Sequence, residues 1–84
     1  MAKSLNDLGS LLKHMYDTAE RKKQVAMIHL FSIAYHNEIK EFGIKEVVEA
    51  SGIPSTYRAE VNKGVTLADF VDIKSTKKAL LRVP

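Results

Sequence analysis

A turn of three residues between two short helical segments is the feature that most constrains this fold. The turn is Gly52-Ile53-Pro54, and the segments are residues 44–51 and 55–63. Gly52 can adopt a positive φ, which a tight connection between helices demands. Pro54 suits the first turn of the second helix, because its missing amide donor is not needed there. Two helices joined so tightly must cross steeply.

Each helix of this corner has one apolar and one polar side. Ile44, Val47 and Val48 give the first helix a buried stripe. On the second helix, Tyr57 and Val61 lie four residues apart and are expected to face inward beside the turn. At 100° per residue, the opposite arc is polar and exposed. It holds Ser55, Ala59 and Asn62, flanked by Thr56, Arg58 and Lys63.

Residues 44–63 resemble the helix-turn-helix of bacterial and phage DNA-binding proteins. The shared pattern is Ile-x-x-Val-Val, then Ala-Ser-Gly-Ile, then a polar helix that carries Thr56 and Arg58. Pro54 departs from the pattern, since the family places a hydroxyl residue directly after the glycine and its apolar neighbour. The resemblance implies sequence-dependent binding of double-stranded DNA, often by a homodimer, and a role as a transcriptional regulator.

The polar arc has the residue types that such a function needs. Arginine pairs bidentately with guanine, asparagine pairs with adenine, and hydroxyl groups reach phosphates or either base type. The small Ala59 would let the helix lie close to the bases. We therefore expect Ser55, Thr56, Arg58 and Asn62 to read bases. The expected phosphate contacts are Lys63, Lys45 and the C-terminal cations Lys74, Lys77, Lys78 and Arg82.

The charge of the corner argues against simple DNA binding. Residues 43–73 contain three basic and five acidic side chains, although the whole chain has a net charge of +3. Phosphate neutralisation supplies most of the affinity for DNA, so a basic face is needed. Here the compensating cations lie at residues 21–23 and in the C-terminal tail. The alternative function is a helical adaptor that docks onto another protein without binding DNA.

The first helix is expected to begin after Ser4, which can act as its N-cap, with Asp7 near the positive end of the helix dipole. Apolar residues then recur at intervals of three and four up to Tyr16. A second start follows, where Asp17 or Thr18 can cap and Glu20 can complete a capping box. This predicts a long helix from about residue 19 to residue 42, which Gly43 ends with a left-handed residue.

Residues 25–35 of that long helix are apolar on nearly every side. Such a helix is packed on every side. We expect it to be the central helix of the bundle, or a central helix that also forms a homodimer interface.

A last helix is predicted from residue 66 onward. Thr66 and Asp69 have the spacing of an N-cap and its third helical position. The core face of this helix would consist of Leu67, Phe70, Val71 and Ile73. We therefore predict an all-α fold, a compact bundle of about five helices with a helix-turn-helix corner. Residues 1–74 would form one helical domain. Residues 75–84 would form a basic tail, which could be a frayed helix, a strand or a segment ordered by a partner.

The histidines and carboxylates do not form a recognisable catalytic or metal site. His29 and His36 lie seven residues apart, about 10.5 Å along a helix, which is too far for one ion. His29 is better explained as a hydrogen-bonded core or interface residue, and His14 and His36 as exposed. Motifs for phosphate loops and nucleophiles are also missing. We expect no enzyme activity, no cofactor and no metal.

Composition indicates a small intracellular domain. Eighty-four residues allow one hydrophobic core, and 45% hydrophobic residues with 27% charged residues are ordinary for a globular protein. The chain has no cysteine, which fits a reducing compartment such as the cytoplasm. The longest apolar stretch has 11 residues and is too short to cross a bilayer, so no membrane partner is expected.

Overall fold

The computed structural model describes residues 4–74, which form an all-α bundle. The order of elements is α1 Leu5–Thr18, α2 Gln24–Ala34, α3 His36–Phe42, α4 Ile44–Ser51, a 3₁₀ turn Ser55–Tyr57 and α5 Arg58–Leu67. Within these residues there are five α-helices and no strand, so the predicted fold class is confirmed.

Helix α1 begins as its sequence predicts. The Ser4 hydroxyl accepts a hydrogen bond from the Asp7 amide, and the Asp7 carboxylate accepts one from the Ser4 amide, at 3.1 and 3.3 Å. This reciprocal capping box satisfies two amides that a helix leaves free at its start. The apolar face of α1 is fully buried. Its buried side chains are Leu8, Leu11, Leu12 and Met15.

The predicted capping box around Glu20 is wrong, because α1 continues through both proposed caps. Asp17 pairs with Lys13 at 3.2 Å, one turn back in the same helix. The hydroxyl of Thr18 donates to the backbone oxygen of His14 at 2.7 Å. Both side chains are therefore used inside α1. Residues 19–23 form the connection that follows.

The long helix predicted for residues 19–42 is two helices in the structure. Helix α2 begins at Gln24, and Tyr35, with φ −113° and ψ 27°, separates it from α3. Backbone hydrogen bonds into and out of Tyr35 persist, from its amide to Phe31 and from the Ile39 amide to its carbonyl. The chain is therefore bent at Tyr35 rather than interrupted. Gly43 ends α3 with the expected positive φ of 101°, but its ψ of 141° lies outside the left-handed helical region.

Helix α2 is not packed on every side, contrary to the expectation from its composition. Ile28, Phe31 and Ser32 are buried, whereas Val25 and Ala26 are exposed. The apolar residues of the exposed side face solvent in the isolated chain. The expectation that this helix also forms a homodimer interface is not tested by the structure and stays a prediction.

The separate last helix predicted from residue 66 is also wrong. Helix α5 continues to Leu67, with Thr66 inside it. The continuation follows from packing: Gly64 and Val65 are buried, and Gly64 lies directly against Ser32 of α2. Phe70, which was expected in the core, is 79% exposed. The tail at residues 75–84 lies outside the described residues, so its predicted role stays a prediction.

Two helix crossings build the bundle and position the corner. Helix α4 packs on α1, and α5 packs on α2. The aromatic rings of Tyr16 and Tyr57 meet edge to face, 5.4 Å apart, so the end of α1 packs on the 3₁₀ turn before α5. The core between the helices is fully apolar apart from Ser32 and Ser51.

Candidate nucleic-acid interface

The corner between α4 and α5 has the backbone geometry expected from its sequence. Gly52 ends α4 in the left-handed conformation, with φ 78° and ψ 3°. Ile53 is buried below the turn, and Pro54, with φ −56° and ψ 139°, leads into the 3₁₀ turn. Buried Ser51 fixes this connection: its hydroxyl donates to the Val48 carbonyl at 2.6 Å and accepts from the Ile53 amide at 3.2 Å.

The second helix of the corner begins in two steps. Residues 55–57 form a single 3₁₀ turn, and the α-helix starts at Arg58. Val61 is fully buried and Tyr57 is half-buried, as the helical periodicity predicts. The opposite side faces solvent. Its exposed residues are Ser55, Thr56, Ala59, Asn62, Lys63 and Thr66. Three of the four proposed reading residues, Ser55, Thr56 and Asn62, thus belong to this exposed surface, which we call the α5 face.

Arg58 lies at the edge of the α5 face and leans toward α4. Its side chain is 43% exposed, and one terminal nitrogen, Nη2, lies 3.9 Å from Oε1 of Glu49. Its Nε is buried and has no hydrogen-bond partner among the described residues. The 3.9 Å separation is an ion pair without a hydrogen bond. Arg58 therefore lies along the surface, and its buried Nε donor has no partner there.

Glu60 is held against α2, so it does not project toward the proposed DNA surface. One oxygen of its carboxylate, Oε1, lies 2.8 Å from Nε2 of His29, and the other, Oε2, lies 3.3 Å from Nζ of Lys63. The hydrogen bond to His29 is the main cause that lowers the pKa of Glu60. His29 is thus hydrogen-bonded, as predicted. Its partner could not be inferred from spacing, because the two residues are 31 positions apart.

The other expected phosphate contacts lie outside the α5 face. Lys45 is exposed in the first turn of α4, and Lys74 is exposed at the end of the described residues. Neither has an ion pair within residues 4–74. The other predicted phosphate contacts, Lys77, Lys78 and Arg82, lie outside the described residues.

The net positive charge of the protein comes from residues other than 4–74. Residues 4–74 contain nine basic and ten acidic side chains, whereas the other 13 residues contain four basic and no acidic ones. Because both Arg58 and Lys63 face acidic side chains of the same chain, the α5 face itself is close to neutral. Any strong attraction for phosphate must therefore come from cations next to this face.

A second group of cations follows α1 in the connection to α2. Arg21, Lys22 and Lys23 are all exposed, and Lys22 has a positive φ of 65°. The connection begins near the 3₁₀ turn, because the end of α1 contacts that turn through Tyr16 and Tyr57. These cations therefore lie at the end of the bundle where α5 begins, and they directly precede α2, whose N-cap residue is Lys23.

An open groove of about 460 Å³ runs beside the far end of the α5 face. Its apolar floor comes from Ile39, Ile44 and Val65, and its rim is polar. The rim residues are Lys40, Asn62, Thr66 and Asp69. The mixture of one cation and one anion on the rim gives this groove no clear preference for a charged ligand.

The histidines of the described residues belong to no candidate metal site, although His29 contacts Glu60. No group of three or more histidine, aspartate or glutamate side chains within residues 4–74 is arranged to hold a metal ion. His14 and His36, which were expected to be exposed, are half-buried, and Nδ1 of His36 lies 2.9 Å from the Ile33 carbonyl oxygen. None of the helices in this part of the chain combines the length and apolarity needed to cross a bilayer.

A family comparison settles what kind of domain this is. The model of a family described as an HTH-like domain matches residues 4–74. The chain belongs to this family. The match covers all five helices, so the HTH-like domain includes α1 and α2 as well as the corner recognised in the sequence. The predicted helix-turn-helix is thereby confirmed. Comparison with curated proteins finds no match, and neither does comparison with solved structures.

Proposed function

We propose that this HTH-like domain is a non-enzymatic protein that binds double-stranded DNA and regulates transcription. The observation that supports it best is the α5 face, an exposed polar helix surface that follows the turn of a helix-turn-helix. In such motifs the second helix enters the major groove, and residues near its start contact base edges. The family match supports DNA binding in general, and the exposed side chains suggest how the bases would be contacted.

The individual roles follow from hydrogen-bonding capacity. Arg58 pairs with guanine once its side chain extends, and Asn62 pairs with adenine. Ser55 and Thr56, at the start of the helix, contact bases or phosphates. Small Ala59 lies between these residues on the exposed side and permits close approach of the helix to the groove.

Phosphate binding depends on cations around the α5 face. Lys45 and Lys63 lie on the corner, and Lys74, Lys77, Lys78 and Arg82 follow it in the sequence. Arg21 to Lys23 add positive charge at the end of the bundle where α5 begins. With so few cations, we expect moderate affinity and a clear dependence on salt, because counterion release supplies most of the binding free energy.

The proposal includes a homodimer formed through α2 and a cytoplasmic location. Exposed Val25 and Ala26 support an interface on α2, since they leave apolar surface on a helix whose other side is buried. A dimer would present two α5 faces to two DNA half-sites about one helical turn apart. Sedimentation analysis at several concentrations would test it, with Val25→Lys expected to give monomers.

A helical adaptor that binds another protein is the second candidate. Two observations favour it: the described bundle has more acidic than basic residues, and Phe70 is 79% exposed beside exposed Val71. Exposed aromatic side chains are common anchors of protein interfaces. In that case the helix-turn-helix corner would be structural.

Fluorescence anisotropy distinguishes the two candidates. A labelled duplex of mixed sequence is titrated with the full chain at two salt concentrations. We expect binding that weakens as salt is raised, followed by selection of a preferred site. With that site, Arg58→Ala and Asn62→Ala should each lower affinity by about 5- to 150-fold, the equivalent of 1–3 kcal/mol for a good base contact.

The matched control is Lys13→Ala, which removes an exposed cation that is paired with Asp17 of α1 and is not part of the α5 face. It should change affinity much less than Arg58→Ala and should leave sequence preference unchanged. No binding at low salt would show that the DNA proposal is wrong and would leave the adaptor. Binding that Arg58→Ala and Asn62→Ala do not affect would show that another surface contacts DNA.

A further inference from the structure

Both cations at the reading helix face acidic residues of the same chain, but the two pairs are built differently. Glu60 is 23% exposed, is bound by His29 of α2 and also faces Lys63. Glu49 is 58% exposed, lies on α4 and faces Arg58 alone. The first carboxylate is part of the contact between α2 and α5. The Glu49 carboxylate could move away without breaking any hydrogen bond or ion pair within residues 4–74 other than its pair with Arg58.

The resting position of Arg58 is held weakly. An exposed ion pair such as this one shifts an equilibrium by about fivefold at most. The buried and unpaired Nε opposes the same position, because a buried donor without a partner is unfavourable. Contacts of the aliphatic stem with the surface must therefore supply much of what keeps the side chain in place. Arg58 can exchange Glu49 for another anion at little cost.

A DNA groove offers anions and acceptors that fit this exchange. Arginine binds phosphate oxygens, and it binds the O6 and N7 atoms of guanine through two parallel hydrogen bonds. Either contact requires the guanidinium to leave the surface, which frees Nε to donate as well. Glu49 also carries a negative charge at the edge of the α5 face, where it would repel approaching phosphates.

We propose that Glu49 is an internal competitor that occupies Arg58 in the free protein and is displaced when DNA binds. The inference rests on the proposed DNA-binding function and adds a residue that lowers affinity. Glu49 also contributes to specificity. Releasing Arg58 from Glu49 is compensated only by a DNA contact that puts a negative charge or acceptor where the Glu49 carboxylate was. Nonspecific phosphate contacts elsewhere on the protein leave the pair intact.

The test compares Glu49→Gln with Glu46→Gln, which removes the same charge from the same helix. Glu46 is a suitable control, because its carboxylate lies beside Gly43 and not beside Arg58. Affinity for the selected duplex is measured by anisotropy at low salt. We expect Glu49→Gln to tighten binding by about two- to fivefold and Glu46→Gln to have a clearly smaller effect.

An Arg58→Ala background shows whether the effect passes through Arg58. There, Glu49→Gln should tighten binding no more than Glu46→Gln does. Equal effects of the two substitutions in the wild-type background would overturn the proposal and would indicate general charge repulsion. Weaker binding by Glu49→Gln would also overturn it and would make Glu49 a support for Arg58.

Failure of the underlying function is visible in the same experiment. If the wild-type protein does not bind DNA at all, the proposed function is wrong and this inference falls with it. If the wild type binds and the two glutamate variants behave alike, only the role of Glu49 is wrong.

A measurement on the free protein tests the pair without DNA. The Nε–H resonance of Arg58, observed by ¹⁵N NMR, should shift in Glu49→Gln and not in Glu46→Gln.

Discussion

The crossing of α1 with α4 and the crossing of α2 with α5 each bring two helices together at a glycine, but the two glycines meet different atoms. A Cβ placed on Gly9 would lie 2.6 Å from the backbone carbon of Ala50 and 2.7 Å from its carbonyl oxygen. A Cβ on Gly64 would lie 2.4 Å from the Cβ of Ser32, with its next neighbours at 3.1 Å or more. The first contact is thus limited by backbone, and the second by one side chain.

The two crossings also differ in polarity. None of the buried residues of α1 is polar, and the buried hydroxyl of Ser51 in α4 bonds only within the corner, to the Val48 carbonyl and from the Ile53 amide. The α2–α5 crossing includes buried Ser32, whose hydroxyl donates to the Ile28 carbonyl, and the hydrogen bond between His29 and Glu60. Polar contacts depend more strongly on geometry and on pH than apolar contacts do. The first helix of the corner therefore has a simple apolar support, and the reading helix has a support that fixes its position more specifically.

The largest effect should come from filling either close contact. Gly9→Ala and Gly64→Ala should each reduce the free energy of unfolding by about 1–3 kcal/mol, since an added methyl group forces tightly packed helices apart. Neither contact can be relieved by turning a side chain, because the Ala50 backbone and the Ser32 Cβ are both fixed by their own helices. Urea unfolding followed by circular dichroism measures both.

The controls are Ser10→Ala and Thr66→Ala, which add helix propensity at exposed positions of α1 and α5. Both should be close to neutral. A neutral result for Gly9→Ala or Gly64→Ala would contradict the close approach of the corresponding helices.

A second prediction separates the side-chain contact from the backbone contact. Adding Ser32→Gly to Gly64→Ala removes the Cβ that the new methyl group meets, so the double variant should be less destabilised than the two single effects predict. A coupling free energy of about 0.5–3 kcal/mol is expected. Ala50→Gly should rescue Gly9→Ala less well, because the carbonyl group of residue 50 is still present. Equal rescue at both sites would show that the two crossings are limited in the same way.

The turn that joins the two crossings should tolerate change better than either contact. A Cβ on Gly52 meets no atom within 4 Å, so only its positive φ opposes substitution. Gly52→Ala should cost about 1 kcal/mol, the penalty of a left-handed residue. Gly52→Asn should cost less, because asparagine adopts this conformation more readily. A cost for Gly52→Ala above that of Gly9→Ala would mean that the turn limits the fold more than the crossings do.

The sequence predicted those parts of the fold that depend on neighbouring residues. The capping box of α1 and its buried face need only spacings of three and four, and the turn at Gly52 needs only the conformational freedom of one glycine. The α5 face follows from the same periodicity. These features are stabilised within one helix or one turn, so the local pattern contains the required information.

The predicted helix boundaries were wrong where a side chain could either cap a new helix or lie inside an existing one. Asp17, Thr18 and Thr66 are good N-caps by residue type, yet Asp17 and Thr18 bond within α1, and Thr66 lies inside α5. Helix α5 continues because Gly64 fits against Ser32 of α2, 32 positions earlier. The partners of Arg58 and Glu60 were missed for the same reason. The end of α5 and the partners of Arg58 and Glu60 depend on contacts between residues far apart in the chain. Such contacts cannot be inferred from the spacing of residues in the sequence.

The smallest effect concerns the polar side of the α2–α5 crossing. The hydrogen bond from His29 lowers the pKa of Glu60 below its ordinary value near 4.5. A carboxyl group with a lowered pKa stabilises the folded state above its unfolded pKa, and this contribution is lost as the pH falls through the lowered value. The wild type should therefore be more stable than Glu60→Gln near neutral pH, and the two should converge as the pH falls below about 4. Thermal unfolding over this range measures the difference, with Glu41→Gln as the control for the loss of one negative charge.

In a His29→Gln background the pH-dependent difference should shrink, because the main cause of the lowered pKa is gone. A difference between wild type and Glu60→Gln that is the same at both ends of the range would show that the charge of Glu60 does not stabilise the α2–α5 crossing.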